Sequence, residues 1–498
     1  MVKLLGLLTL LAAGIGAWFV STRAVGNEAR AEATPVGPPW EWVWVTDRHQ
    51  QSYGQAVLPD SAGAYFLGWF SVGDGAGQAT GPVLVGPYGL EAVGQQNIFL
   101  GRLDDHGALL WVKRYGDGGR LFAADMARAP DGTILVAGTI GGIIGAADGP
   151  SRWTAGGQTH VASDETGFVA RLGPQGDVLW VQVIEDAGTA DGVAVDDAGN
   201  VYVAGGTGSH SAAPPPLNRP GIAAVWAFTL DGAPLWSSPV ASGDTAVATG
   251  VSVGGDGLCV SGYVHPRTDG EFTLGDDSRM AGDASGRAGV GFVARLRLGG
   301  GVGWTYAPPS DPDAVVHLSK TTADAEGHCY AVGAFTGVAT FGSDTLRSEH
   351  VPERTGEAMR HKDALLVKLG PTGTLWAVQG RGGPASDFLT DIAFVDGGRV
   401  YAVGDFMGET RFGESVFGRL YEGGFNARSL SVVSVSADGR NVRAVANEST
   451  VYTNPEGIGV SADGSVYVVG QLGGDGSFGG VPVASRGSNV FVARLSRF

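Results

Sequence analysis

Ten ionisable side chains fall at corresponding points along this chain, each just before or within the start of a short apolar segment. They are Asp47, His49, Asp125, Asp191, Asp244, Asp313, His317, Asp387, Asp391 and Glu456. If those segments converge, their carboxylates meet at one mouth. Such a cluster can hold a cation such as calcium, or a basic ligand, because nearby negative charges favour a bound positive one. The competing reading is that the aspartates cap turns and solvate a rim. His49 and His317 are single histidines, and lone histidines more often serve structure than ligation.

A repeat supplies the reason to expect convergence. The segment Val201-Tyr-Val-Ala-Gly205 recurs as Tyr65–Gly68, Ile134–Gly138, Leu258–Gly262, Tyr330–Gly333, Tyr401–Gly404 and Tyr467–Gly470. The closing glycines are 57 to 71 residues apart. The unit 191–240 is the clearest. A short run, Gly192–Val195, leads through the turn Asp196–Asn200 into Val201–Gly205. A longer connection reaches Val225–Leu230, and Asp231-Gly232 turns the chain into Leu235-Trp236. Valine and aromatic residues dominate these runs, as strands prefer. The unit therefore reads as four antiparallel strands, A to D.

The third strand repeats as Phe168–Leu172, Phe292–Leu296, Leu365–Leu369 and Phe491–Leu495. A tryptophan marks the fourth at Trp111, Trp180, Trp236, Trp304 and Trp376, with Val442 in the sixth unit. No unit of this size buries its apolar surface alone, so the units must pack on one another. The last unit lacks a fourth strand, and Trp40–Val45 is a spare one with the same aromatic mark. The expected fold is all-β: a seven-bladed β-propeller of four-stranded antiparallel blades, closed by the N-terminal strand in the last blade.

The stretch Asp191-Gly-Val-Ala-Val-Asp-Asp-Ala-Gly-Asn-Val-Tyr-Val-Ala-Gly205, with the Phe-Val-Ala-Arg-Leu strand and the Leu-Trp that follow, resembles the bacterial SBBP-type seven-bladed propeller repeat family. The resemblance spans residues 40–496. It implies the propeller fold and an extracellular setting, and it implies no particular activity. Gly254–Gly257 and the outer strand of the sixth unit depart from the pattern. Gly176–Trp180 and Gly373–Trp376 look like the docking motif of quinoprotein dehydrogenase propellers, which implies tryptophans bracing neighbouring blades. The vicinal cysteine pair of one large quinoprotein group is absent. So are a sialidase Ser-x-Asp-x-Gly-x-Thr-Trp box, a His-Glu-x-x-His motif, a phosphate loop and a complete calcium loop.

Lys3 precedes an apolar run from Leu4 to Val20, and Ala29-Arg-Ala31 and Ala31-Glu-Ala33 follow. Residues 1–31 therefore read as a signal peptide or an N-terminal anchor, 32–39 as a linker and 40–498 as one propeller domain. The expected location is exported: periplasmic, cell-surface or secreted. A net charge of −17 argues against nucleic acid and anionic lipid as partners. Membrane contact is expected only through an uncleaved N-terminal segment, and the propeller is expected to be monomeric. Cys259 and Cys329 sit at opposite parities of neighbouring units. They read as two buried free thiols, because ordinary sheet spacing is too wide for a bridge.

The A–B and C–D turns are short and share one face. The B–C connections are long, at 71–96, 140–166, 207–223, 264–290, 335–362, 406–427 and 472–489. They lie on the other face, and elaborated loops are where recognition tends to sit. Phe341-Gly342, Phe412-Gly413 and Phe478-Gly479 suggest that part of each insertion is an extra hairpin. The expected function is a non-catalytic binding or scaffold protein that recognises a protein or other extracellular ligand, cationic in preference, with no cofactor. The alternative is a propeller enzyme: a hydrolase or lyase using the channel-mouth carboxylates, or a quinone-dependent oxidoreductase.

Overall fold

Strands account for the regular structure throughout, as the valine, tyrosine and glycine pattern requires. The computed structural model describes residues 40–498 apart from 47–51, 72–82, 86, 142–149, 156, 163, 208–220, 281–288, 312–313, 349–361, 383–385, 396, 418–427 and 450–451. The expected export segment 1–31 therefore lies outside the described residues. Among the described residues no helix is long and apolar enough to cross a membrane.

Seven antiparallel sheets run A-B-C-D from the axis outward. The innermost A strands are Ser52–Asp60, Leu121–Arg128, Thr189–Val195, Thr245–Gly254, Val315–Ala323, Phe388–Val395 and Tyr452–Val460, in blades 1 to 7. Trp40–Val45 is the D strand of blade 7. It pairs with the C-terminal strand in the register Trp40↔Leu495, Trp42↔Arg494 and Val45↔Phe491. Both ends of the propeller are thus held in one sheet, as the missing fourth strand implies.

Face-to-face packing of sheets is apolar and has little directional preference. Two polar devices recur, one between blades and one within a blade. In the first, the strand-D tryptophan of one blade donates its indole N–H to a carbonyl in the C–D turn of the next. The bonds are Trp42 to Asp105 (2.9 Å), Trp180 to Leu230 (3.1 Å), Trp236 to Leu298 (3.1 Å) and Trp376 to Ala437 (3.0 Å). The indole lies against a turn glycine. Gly107 has φ +81°, and a Cβ there would come within 2.8 Å of the Trp42 ring. In the second, the cation of strand C pairs with the carboxylate of its own A–B turn. Examples are Arg102 with Asp60 (2.6 Å), Arg295 with Asp256 (3.4 Å), Lys368 with Asp324 (3.3 Å) and Arg494 with Asp463 (3.4 Å). Arg171 pairs with Asp131 in the same way.

The B–C insertions do contain hairpins, among them Ser151–Ala155 with Gln158–Ala162, Glu271–Leu274 with Asp277–Met280, and Thr410–Phe412 with Ser415–Phe417. They do not simply widen their own blade. Leu274 pairs with Ala241 and Phe412 with Gly380, so each of these two hairpins extends strand D of the preceding blade. These two hairpins therefore join neighbouring blades at the rim, and Phe341, Phe412 and Phe478 of the insertions are buried.

The cysteines correct the sequence expectation. Cys259 and Cys329 form a disulfide, with a Cα–Cα distance of 5.6 Å, between the B strands of blades 4 and 5. Opposite parity on successive blades points the two side chains at each other across the shared interface. Blades also converge toward the axis, so sheet spacing at strand B is tighter than in a parallel sandwich. Both residues are fully buried among Val293, Val316, Leu318 and Ala331.

Two outcomes test this frame. Removing residues 490–498 strips blade 7 of its third strand and leaves Trp40–Val45 without a partner. Thermal unfolding should lose its cooperative transition, and Trp42→Ala should cost about 3 kcal/mol by urea titration. A truncated chain that melts as before would refute closure through blade 7. Replacing both cysteines by alanine should cost about 2–4 kcal/mol, the usual worth of a bridge closing a long loop. Reducing agent should have no further effect on that variant.

Candidate functional site

All seven A strands slip register at the same point. The extra residue is Gln55, Ala124, Asp191, Thr249, Ser319, Thr390 or Glu456. A bulge leaves one residue outside the ladder and increases local twist. A ring of seven bulges therefore leaves backbone groups around the channel that need partners from elsewhere.

Side chains at and beside the bulges supply those partners. Thr249 donates to the carbonyl of Leu318 in the next blade, and Thr390 donates likewise to Pro455, both at 2.9 Å. Asp125 accepts from its neighbour Met126 N (2.9 Å) and from Val193 N of blade 3 (3.2 Å). Asp391 repeats this in blade 6, accepting from Ile392 N and from Ile458 N of blade 7, both at 2.8 Å.

Among the described residues one cation occupies this ring. Lys320, beside the blade 5 bulge, reaches across the channel. Its ammonium donates to the Asp125 carboxylate at 3.2 Å and to the Asp191 carbonyl at 2.6 Å. Those acceptors lie on blades 2 and 3, three and two blades away around the ring. The surrounding carboxylates, Asp125 first, then Asp391 and Asp191, hold the Lys320 pKa above its ordinary value despite burial. Sequence reading missed this lysine. The signal was present, because Lys320 takes the place in unit 5 that Asp125 and Asp391 take in units 2 and 6.

The ten expected site residues thus separate. Asp125, Asp191, Asp391 and Glu456 gather around Lys320 in the channel. His317 lies elsewhere, 4.8 Å from the Tyr263 ring. Burial, with Lys362 and His265 nearby, pushes its pKa down to about 4, so it is neutral at pH 7. Asp244 is near His265 and donates its backbone N–H to the His265 carbonyl at 2.8 Å. Asp387 is fully buried, accepting from Met407 N and the Thr410 hydroxyl, both at 3.0 Å. Burial holds its carboxyl well above the ordinary range. Asp47, His49 and Asp313 lie outside the described residues.

Below the bulges the channel holds a cavity of about 240 Å³. Asp125, Lys320, Asp391 and Ile458 line it, and so do Pro59 and Val460, late residues of their A strands. Two acid–histidine groups with ligand atoms within 4.8 Å of one another lie on the short-turn face instead: Asp104, Asp105 and His106, and Asp324, Glu326 and His328. Asp324 is already engaged by His328, Tyr330 and Lys368.

No family model matches the chain, and no curated protein matches it. Solved structures of similar fold include the WD40 domain of Neurospora crassa Pan2, at 7% identity over 89% of this chain and 90% of that one, with a TM-score of 0.42. A polysaccharide lyase, an ulvan lyase, matches at 13% identity over 89% and 97%, with a TM-score of 0.38. The β-propeller domain of a trilobed protease from Pyrococcus furiosus matches at 10% identity over 75% and 95%, with a TM-score of 0.30. The propeller fold of this chain rests on its own sheet order.

The channel carboxyls generate a pH prediction. Burial pushes Asp391 up to about 6 and Glu456 up to about 7, with Asp125 and Asp405 respectively adding to the rise and Lys320 opposing it. Unfolded, both ionise near pH 4. Between roughly pH 4 and 7 the folded chain keeps protons that the unfolded chain has released, so these groups make stability fall as pH rises through that window. Asp391→Asn and Glu456→Gln should each flatten the slope of unfolding free energy there. The ceiling is about 1.4 kcal/mol per pH unit for one carboxyl group, lowered by solvent reaching the channel. An unchanged slope in both variants would refute the assignment.

Proposed function

We propose that this chain is an exported, non-catalytic propeller that recognises a protein or other extracellular ligand through the face carrying its B–C insertions. The contrast between the two faces carries this reading. On the short-turn face five A–B turn carboxylates pair with the strand-C cation of their own blade. The B–C insertions differ from blade to blade, and their hairpins expose Val161, Met280 and Val416 along the rim, at 56%, 68% and 40%. Apolar side chains set on non-repeating hairpins are what a unique partner needs. The Cys259–Cys329 bridge and the N-terminal sequence support an oxidising, extracytoplasmic setting. The repeat sequence 191–205 supports placement with SBBP-type propellers.

A propeller hydrolase or lyase is the second reading. The raised carboxyls of Asp391 and Glu456 favour it, because such groups can exchange protons near neutral pH.

The tagged chain, cross-linked in its producing organism, separates these readings. Met280→Asp combined with Val161→Asp should abolish the cross-linked partner. Leu179→Asp with Leu235→Asp, beside the short turns, should leave it intact, and so should Glu456→Gln. Loss with the second pair alone, or with Glu456→Gln alone, would place function off the insertion face.

A further inference from the structure

The internal repeat duplicates an ammonium-binding half-site, and the chain fills one copy itself. In the first copy a carboxylate one residue past a bulge (Asp125) and the carbonyl of the next blade's bulge residue (Asp191) hold the Lys320 ammonium. The second copy comprises Asp391, one residue past the blade 6 bulge, and the carbonyl of Glu456, the blade 7 bulge residue. The two copies match in detail. Asp125 and Asp391 each accept the N–H of the following residue and the N–H two residues past the next blade's bulge. Among the described residues no lysine or arginine hydrogen-bonds Asp391, which together with Lys320 lines the channel cavity of about 240 Å³.

We infer that this second half-site binds a small primary ammonium compound, with its carbon chain extending into the cavity toward the short-turn face. A primary ammonium offers three N–H donors, and Lys320 already uses two of its own on the same pair of acceptor types. The cavity has room for several water volumes at roughly 30 Å³ each, enough for a short carbon chain. A carboxylate withdrawn from bulk water also attracts a cation more strongly than an exposed one does. The inference does not depend on recognition by the insertion face.

Calorimetry on the whole chain tests it, with n-butylammonium as probe, n-butanol as its neutral counterpart, and potassium and calcium chloride at matched ionic strength. At pH 8 one n-butylammonium should bind per chain and n-butanol none. Affinity should drop at least tenfold at pH 5, where protons compete for Asp391 and Glu456. Asp391→Asn should weaken binding at least tenfold. Lys320→Ala vacates the first half-site, so stoichiometry should rise to two, and n-butylammonium should restore part of the thermal stability that this variant loses. Equal binding of n-butanol, preference for potassium or calcium, unchanged affinity in Asp391→Asn, or no second equivalent in a folded Lys320→Ala chain would overturn the inference.

Discussion

The indole N–H of a strand-D tryptophan, donated to the C–D turn of the next blade, is the contact on which the ring depends. Neighbouring blades share no strand ladder along most of their faces, and apolar packing alone would let them slide. A hydrogen bond with a fixed donor direction, combined with an indole lying against a turn glycine, sets the angle at the four interfaces that carry one. Trp42 matters most, because it belongs to the strand that arrives from the other end of the chain. Its bond to Asp105 joins blade 7 to blade 1, and its own strand is tied to the rest of blade 7 only by the ladder to Phe491–Leu495. Arg494, on the strand paired with Trp42, donates to the same Asp105 carbonyl at 2.9 Å. Closure therefore rests on two donors at one acceptor as well as on the ladder.

The bulge ring follows from that angular frame. Seven A strands arranged about one axis crowd as they converge, and a bulge lets each strand bend and twist away. Each bulge leaves backbone groups in a narrow channel where water is scarce, and leaving them unpaired is costly. Small polar side chains beside the bulges meet that need. Aspartate serves where amides must be accepted, as at Asp125 and Asp391, and threonine serves where a carbonyl needs a donor, as at Thr249 and Thr390. Acid in the channel is thus first a consequence of geometry. Burial raises the carboxyl pKa values, repulsion between neighbouring acids adds to the rise, and a cation such as the Lys320 ammonium opposes it.

Much of this was legible in the chain. The glycine-terminated strand repeated seven times showed blade number, and the missing last strand with its surplus counterpart at Trp40–Val45 showed closure. Both depend on local patterns that recur. Long-range facts were harder to read. Asp387 looked like Asp391, four residues on, yet one is sealed beneath Thr410 and the other faces the channel, because the bulge changes which way successive side chains point. The cysteines were misread for a related reason. Opposite parity signals separation within one sheet but encounter between two successive blades. Lys320 was overlooked because its role exists only across the axis, a relation that linear spacing does not contain.

Sequence drift within a symmetric frame explains how one ring can hold different chemistry at equivalent positions. The backbone geometry at each bulge is imposed by the ring, so a carboxylate one residue past it always meets the amides that Asp125 and Asp391 meet. The residue that reaches across the channel is free to vary, because the bulge amides are already met by the carboxylates beside them. Seven blades are odd in number, so no blade faces another squarely across the axis, and one long side chain can serve acceptors on two adjacent blades at once. Lys320 does so for blades 2 and 3. A single lysine cannot do the same for blades 6 and 7. Asymmetric charge therefore arises in the channel from symmetric backbone, and it arises on the side where Asp391 and Glu456 remain.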